Sequence, residues 1–351
     1  MKIVFVIPNM TGGGTERVIS LLANEYVKRG IDVAIMMFAG KKCAYKIEAK
    51  VELLCISEQS HGNARVRINR LLKMRKYFKE NEGCNIFSFC VMGTVFSALA
   101  TIGLDCPILV SERTDPRSSG HNIIRNLAYV RAEKLVVQTE ECLNYLPASF
   151  RAKSSVLPNP VDEAIPFPIK GERKKTVVYM GRLEPEKNPI LLLEAFAQFS
   201  TDYPEYSLHY YGSGSLEKKL REYAMELNIA NKVAWHGFCI DAKQKIVDAG
   251  IFVLPSNYEG VSNAMVEAMA MGIPVIATDC PIGGAATYIR DGENGMLVPT
   301  KDATEMAAAM KKIASDPLLA KRLSDNCIKI REEFPSGVIA DKLLGIAGIM
   351  V

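Results

Sequence analysis

Two carboxylates, Glu259 and Glu267, stand with seven residues between them on either side of Val261, Ser262 and Asn263. The stretch that holds them changes habit twice. Ile251, Phe252, Val253 and Leu254 read as a strand buried on both faces, and turn formers follow from Pro255 to Gly260. Ala264, Met265, Ala268, Met269 and Met271 then carry a helical pattern up to Gly272. From a helix start near Ser262, Glu267 lies a turn and a half in, while Glu259 and the amides of Val261, Ser262 and Asn263 face the space above the strand's carboxyl end. A helix N-terminus offers N–H groups and a positive dipole end to a phosphate. The two carboxylates would accept hydrogen bonds from sugar hydroxyls at opposite ends of such a ligand. A capping loop before a helix with one solvated glutamate fits the same residues.

Two cations form a second constellation. A strand expected over Thr176–Met180 runs straight into Gly181, Arg182 and Leu183, with Lys187 five residues after Arg182 and a helix expected from Ile190 to about Ser200. The planar Arg182 guanidinium suits two phosphate oxygens, and Lys187 adds a compact charge. Together they would take the place of a metal ion on a diphosphate. Two solvated basic residues around a turn are the plainer reading.

The run from Glu259 through Val261, Ser262, Asn263 and Glu267 to Gly272 and Pro274 resembles the signature of family 4 glycosyltransferases, and the Gly181, Arg182, Leu183 segment is similar to that family's diphosphate-binding pair. The resemblance is strong over 176–300, intermediate at the first Gly-rich loop and weak over 38–110. It implies the GT-B fold: two facing doubly wound Rossmann-like α/β domains with a cleft between them. It also implies retaining transfer from a nucleotide sugar, with the departing phosphate oxygen helping to deprotonate the acceptor. Arg182, Lys187 and Glu259 are then the catalytic set, Glu267 holds the ribose, and Gly13, Gly14, Gly181, Phe238 and residues 261–263 complete the donor site. Phe238 either stacks on the base or belongs to the core.

Length and composition agree with two domains: 351 residues, 48% hydrophobic and 23% charged. The N-terminus leads too quickly into Gly-rich sequence for a signal peptide, so the chain is expected in the cytoplasm. Nine cysteines without a Cys-x-x-Cys pair, with Cys55, Cys90 and Cys239 in apolar surroundings, read as buried free thiols. Histidines at 61, 121, 209 and 236 are too scattered for a metal site, and no Asp-x-Asp pair appears. No metal and no cofactor beyond the nucleotide-sugar substrate is therefore expected, nor a nucleic-acid partner.

Lys2–Ile7, Gly12 to Gly14 and a helix from Glu16 to Arg29 make a strand, a Gly-rich turn and a helix. Arg17 occupies the place where a dinucleotide fingerprint needs a small residue, so that reading is weak. Strands at Asp32–Met37, Val51–Cys55, Asn85–Phe89, Pro107–Val110 and Lys134–Val137 alternate with helices in this half. Strands at Ser207–Tyr211, Lys232–Trp235, Val275–Ala277 and Gly295–Val298 are expected in the other, with helices at Ala303–Ala314, Leu318–Glu332 and Val338–Ile349. Proline-rich sequence from Leu157 to Lys175 marks the boundary. An acceptor domain over 1–165, a donor domain over 170–334 and a last helix, 335–351, crossing back to the first domain are expected.

Ser111, Glu112, Arg113, Thr114, Asp115 and Pro116 close one strand of the first half, where many relatives carry a His. Here the nearest is His121, and Glu112 and Arg113 are the acceptor-side candidates, or loop braces only. These residues and the Glu259 segment are similar to those of bacterial enzymes that extend lipid-linked oligosaccharides. A UDP-sugar donor, transferring a hexose or N-acetylhexosamine, and a polyprenyl-diphosphate-linked glycan acceptor follow. A mannosyl- or glucosyltransferase of capsule or glycolipid synthesis, a GT-B-fold UDP-sugar epimerase and a non-catalytic binder are the alternatives.

Basic residues outnumber acidic ones 22 to 16 up to residue 165, against 21 to 23 beyond it. Between His61 and Glu82, Ile68, Leu71, Leu72 and Phe78 form one apolar helical stripe beside a basic face of Arg65, Arg67, Arg70, Lys73, Arg75, Lys76 and Lys79. Such a helix lies on an anionic membrane or packs its stripe onto the sheet. Peripheral attachment at the inner face of the membrane is the expectation that follows from the first arrangement.

Overall fold

The computed structural model describes residues 1–59, 62–113 and 122–350. It divides into two compact units, Met1–Pro160 with Ser336–Val351, and Val161–Pro335. The sequence features at His61, and at Thr114, Asp115, Pro116 and His121, lie outside the described residues.

In the first unit β1 (Lys2–Ile7), β2 (Asp32–Met37), β3 (Glu52–Cys55), β4 (Asn85–Ser88), β5 (Ile108–Ser111), β6 (Lys134–Val137) and β7 (Ser154–Val156) form one sheet. Its order is β3-β2-β1-β4-β5-β6-β7 with every pair parallel. Helices cover both faces of such a sheet, which is why β1 is a continuous apolar run. α1 (Gly14–Lys28) makes the first crossover, and α2 (Ala64–Glu80), α3 (Val91–Ala100) and α4 (Asn122–Arg131) the later ones. Short α5 (Glu140–Asn144) and α6 (Ala148–Arg151) lead into β7. Phe5 anchors the core, stacked on Tyr26 at 6.1 Å and edge-on to Phe87 at 5.7 Å.

The second unit has β8 (Lys174–Met180), α7 (Pro189–Asp202), β9 (Ser207–Tyr211), α8 (Glu217–Glu226), β10 (Val233–Trp235), α9 (Ala242–Ile246) and β11 (Ala249–Leu254). It continues through α10 (Asn263–Ala270), β12 (Val275–Thr278), β13 (Met296–Val298), α11 (Ala303–Ser315), α12 (Pro317–Cys327) and α13 (Ile330–Glu333). The sheet, all parallel, runs β10-β9-β8-β11-β12-β13. Val177, Leu192, Phe196, Ile251 and Met310 pack on one face, and Phe252, Met265, Met269, Val275 and Tyr288 on the other. The last helix, α14 (Ser336–Ile346), belongs to the first unit and closes on α1. There the Tyr26 hydroxyl donates to the Ala340 carbonyl at 3.1 Å, and Arg29 donates to the Gly337 carbonyl at 2.9 Å and pairs with Asp341.

Four expectations are corrected. The helix expected over Leu318–Glu332 is two helices, and the turn between α12 and α13 aims Arg331 at the carbonyls of Ala270, Ile165 and Pro166. β7, absent from the sequence reading, is a three-residue edge strand with two serines, too short and polar to show a pattern. Cys55 is exposed and Cys90 and Cys239 are half-buried; the buried thiols are Cys84, Cys106, Cys142, Cys280 and Cys327. Finally, the stripe on α2 is split, with Phe78 buried and Leu71 half-buried but Ile68 and Leu72 exposed. Arg70, Met74 and Phe78 face inward, while Ile68 and Leu72 are 57% and 60% exposed. Backbone carbonyls beside the helix accept from its cations: Arg70 donates to Gln59, Lys73 to Ile56 at 3.2 Å, and Arg75 to Ala100 and Ile102 at 3.0 and 2.9 Å.

The loop after β9 crosses the loop after β8 backbone to backbone. Gly212 has φ +150°, and a Cβ there would stand 1.8 Å from the Gly181 carbonyl oxygen. Gly212→Ala is expected to cost about 1–3 kcal/mol from the backbone conformation alone, with the steric conflict added. Urea denaturation reads this, and wild-type stability in the variant would refute the close approach.

Candidate active site

In an open parallel sheet ligands sit beyond the carboxyl ends of the strands, where the strand order reverses. That point in the second unit lies between β8 and β11, since the chain moves outward from β8 to β9 and β10 and returns to the other side of β8 with β11. The loops that leave these two strands carry Arg182 and Lys187 on one side and Glu259 on the other.

Side-chain and backbone hydrogen bonds fasten the two loops together. The Asn257 N–H donates to the Glu186 carbonyl at 3.0 Å, its amide to the Pro185 carbonyl at 3.2 Å, and the Asn188 amide to the Asn257 side chain at 3.1 Å. Lys187 ends a short 3₁₀ turn, Pro185–Lys187, and Asn188 follows in the left-handed region at φ 46°. Lys187 meets Glu259 in an ion pair whose side chains are only 18% and 14% exposed, and the Ser256 hydroxyl donates to the same carboxylate at 3.4 Å. Sequence reading placed these two groups on different parts of a ligand; the structure sets them in direct contact. Arg182 is 70% exposed and pairs with Glu186 at 2.8 Å. Gly181 donates its N–H to the Tyr211 carbonyl at 3.0 Å, and the Tyr179 hydroxyl donates to the Arg182 carbonyl at 2.7 Å, so the backbone around Arg182 is held from two strands while its side chain pairs only at the surface, with Glu186.

The helix behind Glu259 begins as expected. Ser262 caps α10, its hydroxyl accepting the Met265 N–H at 3.3 Å, and Asn263 is the first helical residue. Val261 is buried, and the adjoining loop is fixed by close backbone contact: a Cβ on Gly284 would lie 1.6 Å from the Gly260 carbonyl oxygen. Glu267 is buried one turn further on and pairs with Lys243 of α9 at 2.7 Å. Lys243 lies 3.7 Å from Asp162, near the start of the unit. Sequence reasoning missed Lys243 and Asp162, because neither stands in a motif and only the fold brings them to Glu267. Burial, and then the Glu259 charge, push the Cys280 thiol up to about 11.

Phe238 is 67% exposed in the loop after β10, which removes the core reading. Beside it His236 stacks on Tyr211 at 4.2 Å, and burial lowers its pKa below the ordinary histidine value. In the first unit Gly13 caps α1, its carbonyl accepting the Arg17 N–H at 3.1 Å and the Tyr45 hydroxyl at 2.7 Å, and Gly14 opens the helix. Burial raises the Glu16 carboxyl, which the Gly13 and Glu16 N–H groups partly offset. Glu112 is buried and accepts from the Tyr129 hydroxyl. Arg113 donates to Ser111 at 2.7 Å and to Asn159, and lies 4.9 Å over the Phe89 ring. Glu112 is thus tied to Tyr129 of α4, and Arg113 to Ser111 and Asn159.

Residues 161–330, nearly the whole second unit, match the family model described as glycosyl transferases group 1. The second unit is that of a group 1 glycosyltransferase. The chain is 26% identical to an uncharacterized glycosyltransferase of Haemophilus influenzae, with 98% of this chain and 99% of that protein aligned. It is also 26% identical, over 98% of itself and 97% of the relative, to the Campylobacter jejuni GalNAc-alpha-(1->4)-GalNAc-alpha-(1->3)-diNAcBac-PP-undecaprenol alpha-1,4-N-acetyl-D-galactosaminyltransferase. Among solved structures, Anabaena HepE in complex with UDP and glucose superposes with a TM-score of 0.84 at 20% identity, covering 100% of both chains. The glycosyltransferase carries the GT-B fold, with two Rossmann-like units.

Lys187→Met would leave Glu259 without its cation in a site largely closed to water. The expected cost is up to about 3–5 kcal/mol, with most of the loss recovered in the Lys187→Met/Glu259→Gln double variant. Chemical denaturation of the four members of this cycle tests it, and additive losses would show that the pair carries no coupling.

Proposed function

We propose that this glycosyltransferase moves a hexose or N-acetylhexosamine from a UDP-sugar to a hydroxyl of a polyprenyl-diphosphate-linked glycan, with retention of the anomeric configuration. The observation that carries the donor half is the meeting of Lys187 and Glu259 at the strand-order reversal, beside the N-terminus of α10 and one loop from Arg182. Lys187, Arg182 and the helix end stabilise negative charge that develops on the departing diphosphate, so no divalent metal is required. Glu259, held by Lys187, presents its second oxygen to the donor sugar's hydroxyls. Glu267, held by Lys243, takes the ribose. Phe238, exposed in the loop after β10, offers a face to the base. The acceptor class is supported by the Campylobacter relative, whose name specifies an undecaprenol-diphosphate glycan, and the donor nucleotide by HepE, solved with UDP. A lipid-linked acceptor puts the reaction at the cytoplasmic face of a membrane.

Arg182→Ala is expected to lower turnover by about two to three orders of magnitude while the protein stays folded. Near wild-type turnover in that variant, or activity abolished by EDTA and restored by Mg²⁺ or Mn²⁺, would contradict charge stabilisation by protein groups alone. Product analysis by NMR separates a new α-glycoside from an isomerised UDP-sugar, the product of the epimerase reading.

The two carboxylates should fail differently. Glu267→Ala is expected to weaken UDP binding, whereas Glu259→Ala should leave UDP binding nearly intact and impair transfer. Calorimetry with UDP decides, and equal losses in both variants would reverse the assignment of roles.

A further inference from the structure

On α4 the aliphatic side chains face outward and an arginine faces inward. Ile123, Leu127 and Val130, spaced by four and three residues, are 79%, 68% and 69% exposed, while Arg125 of the same helix is 5% exposed. Its guanidinium lies 5.9 Å from the Tyr129 ring centre. α2 shows the same inversion, with Arg70 inward and Ile68 and Leu72 outward. α3 packs against both helices, and the Arg75 hydrogen bonds to Ala100 and Ile102 hold α2 against the end of α3, where Leu99 and Ile102 are also exposed. Single exposed aliphatics are ordinary, but a set carried by three adjacent helices marks a surface that something covers.

Charge identifies the cover. α2 holds seven Lys and Arg residues against one Glu, and Arg65, Arg67, Lys76 and Lys79 remain on its exposed side. α4 ends in Arg131. A second copy of the chain would bring two such basic faces together, which like-charge repulsion opposes. An anionic bilayer meets both features, since aliphatic side chains enter the boundary between headgroups and acyl chains while cations stay at the phosphates. Among the described residues no helix is long and apolar enough to cross a membrane, so the contact is with the surface. We propose that this face docks on anionic phospholipid bilayers by shallow insertion of Ile123, Leu127 and Val130, with the exposed cations of α2 on the headgroups. The docking deepens the reading of a lipid-linked acceptor, but the lipid itself, not the glycan, is the ligand.

Co-sedimentation with vesicles of phosphatidylcholine, with and without phosphatidylglycerol and free of any acceptor lipid, tests it. Wild-type protein is expected on the phosphatidylglycerol vesicles and to come off at high salt. The Ile123→Ser/Leu127→Ser/Val130→Ser variant should lose about a hundredfold in partition, and Arg67→Glu/Lys76→Glu about tenfold or more. Both should keep wild-type thermal stability and UDP affinity, because these side chains are exposed and lie outside the donor unit. Three results would each overturn the proposal: no wild-type binding to either vesicle, undiminished binding by the aliphatic variant, or a dimer in sedimentation velocity that this variant abolishes. Transfer to a soluble acceptor, measured alongside, reports on the enzymatic reading separately, so either reading can fail while the other stands.

Discussion

The adjacency of β8 and β11 is the constraint from which the chemistry of the second unit follows. Two strands, β9 and β10, intervene in the chain, yet Val177 sits opposite Ile251 and Val178 opposite Phe252 in register. Parallel neighbours leave a sheet at the same edge, so the segments after Met180 and Leu254 have to meet there. Glycines at 212 and 284 then let the adjoining backbones come closer than any side chain would permit. Without that closeness, a cation six residues beyond Gly181 and a carboxylate five residues beyond Leu254 would have no reason to touch.

Their contact also sets the electrostatic character of the site. A lysine and a glutamate that are both largely withdrawn from water attract each other strongly, but each has given up hydration to be there. On the function proposed above, an incoming diphosphate would compete with Glu259 for Lys187 and bring negative charge of its own. Arg182 adds a second cation on a backbone that Tyr179 and Tyr211 hold still. The lysine is thus fixed by a largely buried partner, while the arginine, mostly exposed, is held only by a surface pair with Glu186.

Both sheets were legible in the sequence because parallel strands covered on two faces are written as uninterrupted apolar runs. Lys2–Ile7, Asp32–Met37, Lys134–Val137 and Ser207–Tyr211 have the bounds that the sequence suggested. The donor-side loops were legible for a different reason, since Gly181, Arg182, Ser262 and Glu267 stand in short, specific runs. What escaped was anything decided by distant backbone. Lys243 reaches Glu267 only because α9 and α10 flank the same strand, and Arg70 of α2 turns inward beside Met74 and Phe78, where it donates to the Gln59 carbonyl, a partner that periodicity cannot reveal. β7 escaped because edge strands can be polar, and Glu112 and Arg113 found their partners across the first unit.

The closure of α14 on α1 has a consequence for biosynthesis. The first unit is discontinuous in the chain: its buried Tyr26 hydroxyl and the Arg29 guanidinium find acceptors in residues 337–341, more than 300 positions later. Domains fold as units while the chain emerges from the ribosome. The second unit, contiguous from 161 to 335, can close before the first has its last helix. Until then the flank of α1 that α14 covers, with the Tyr26 hydroxyl, stays open to water. The order of emergence from the ribosome is thus the reverse of the order of completion.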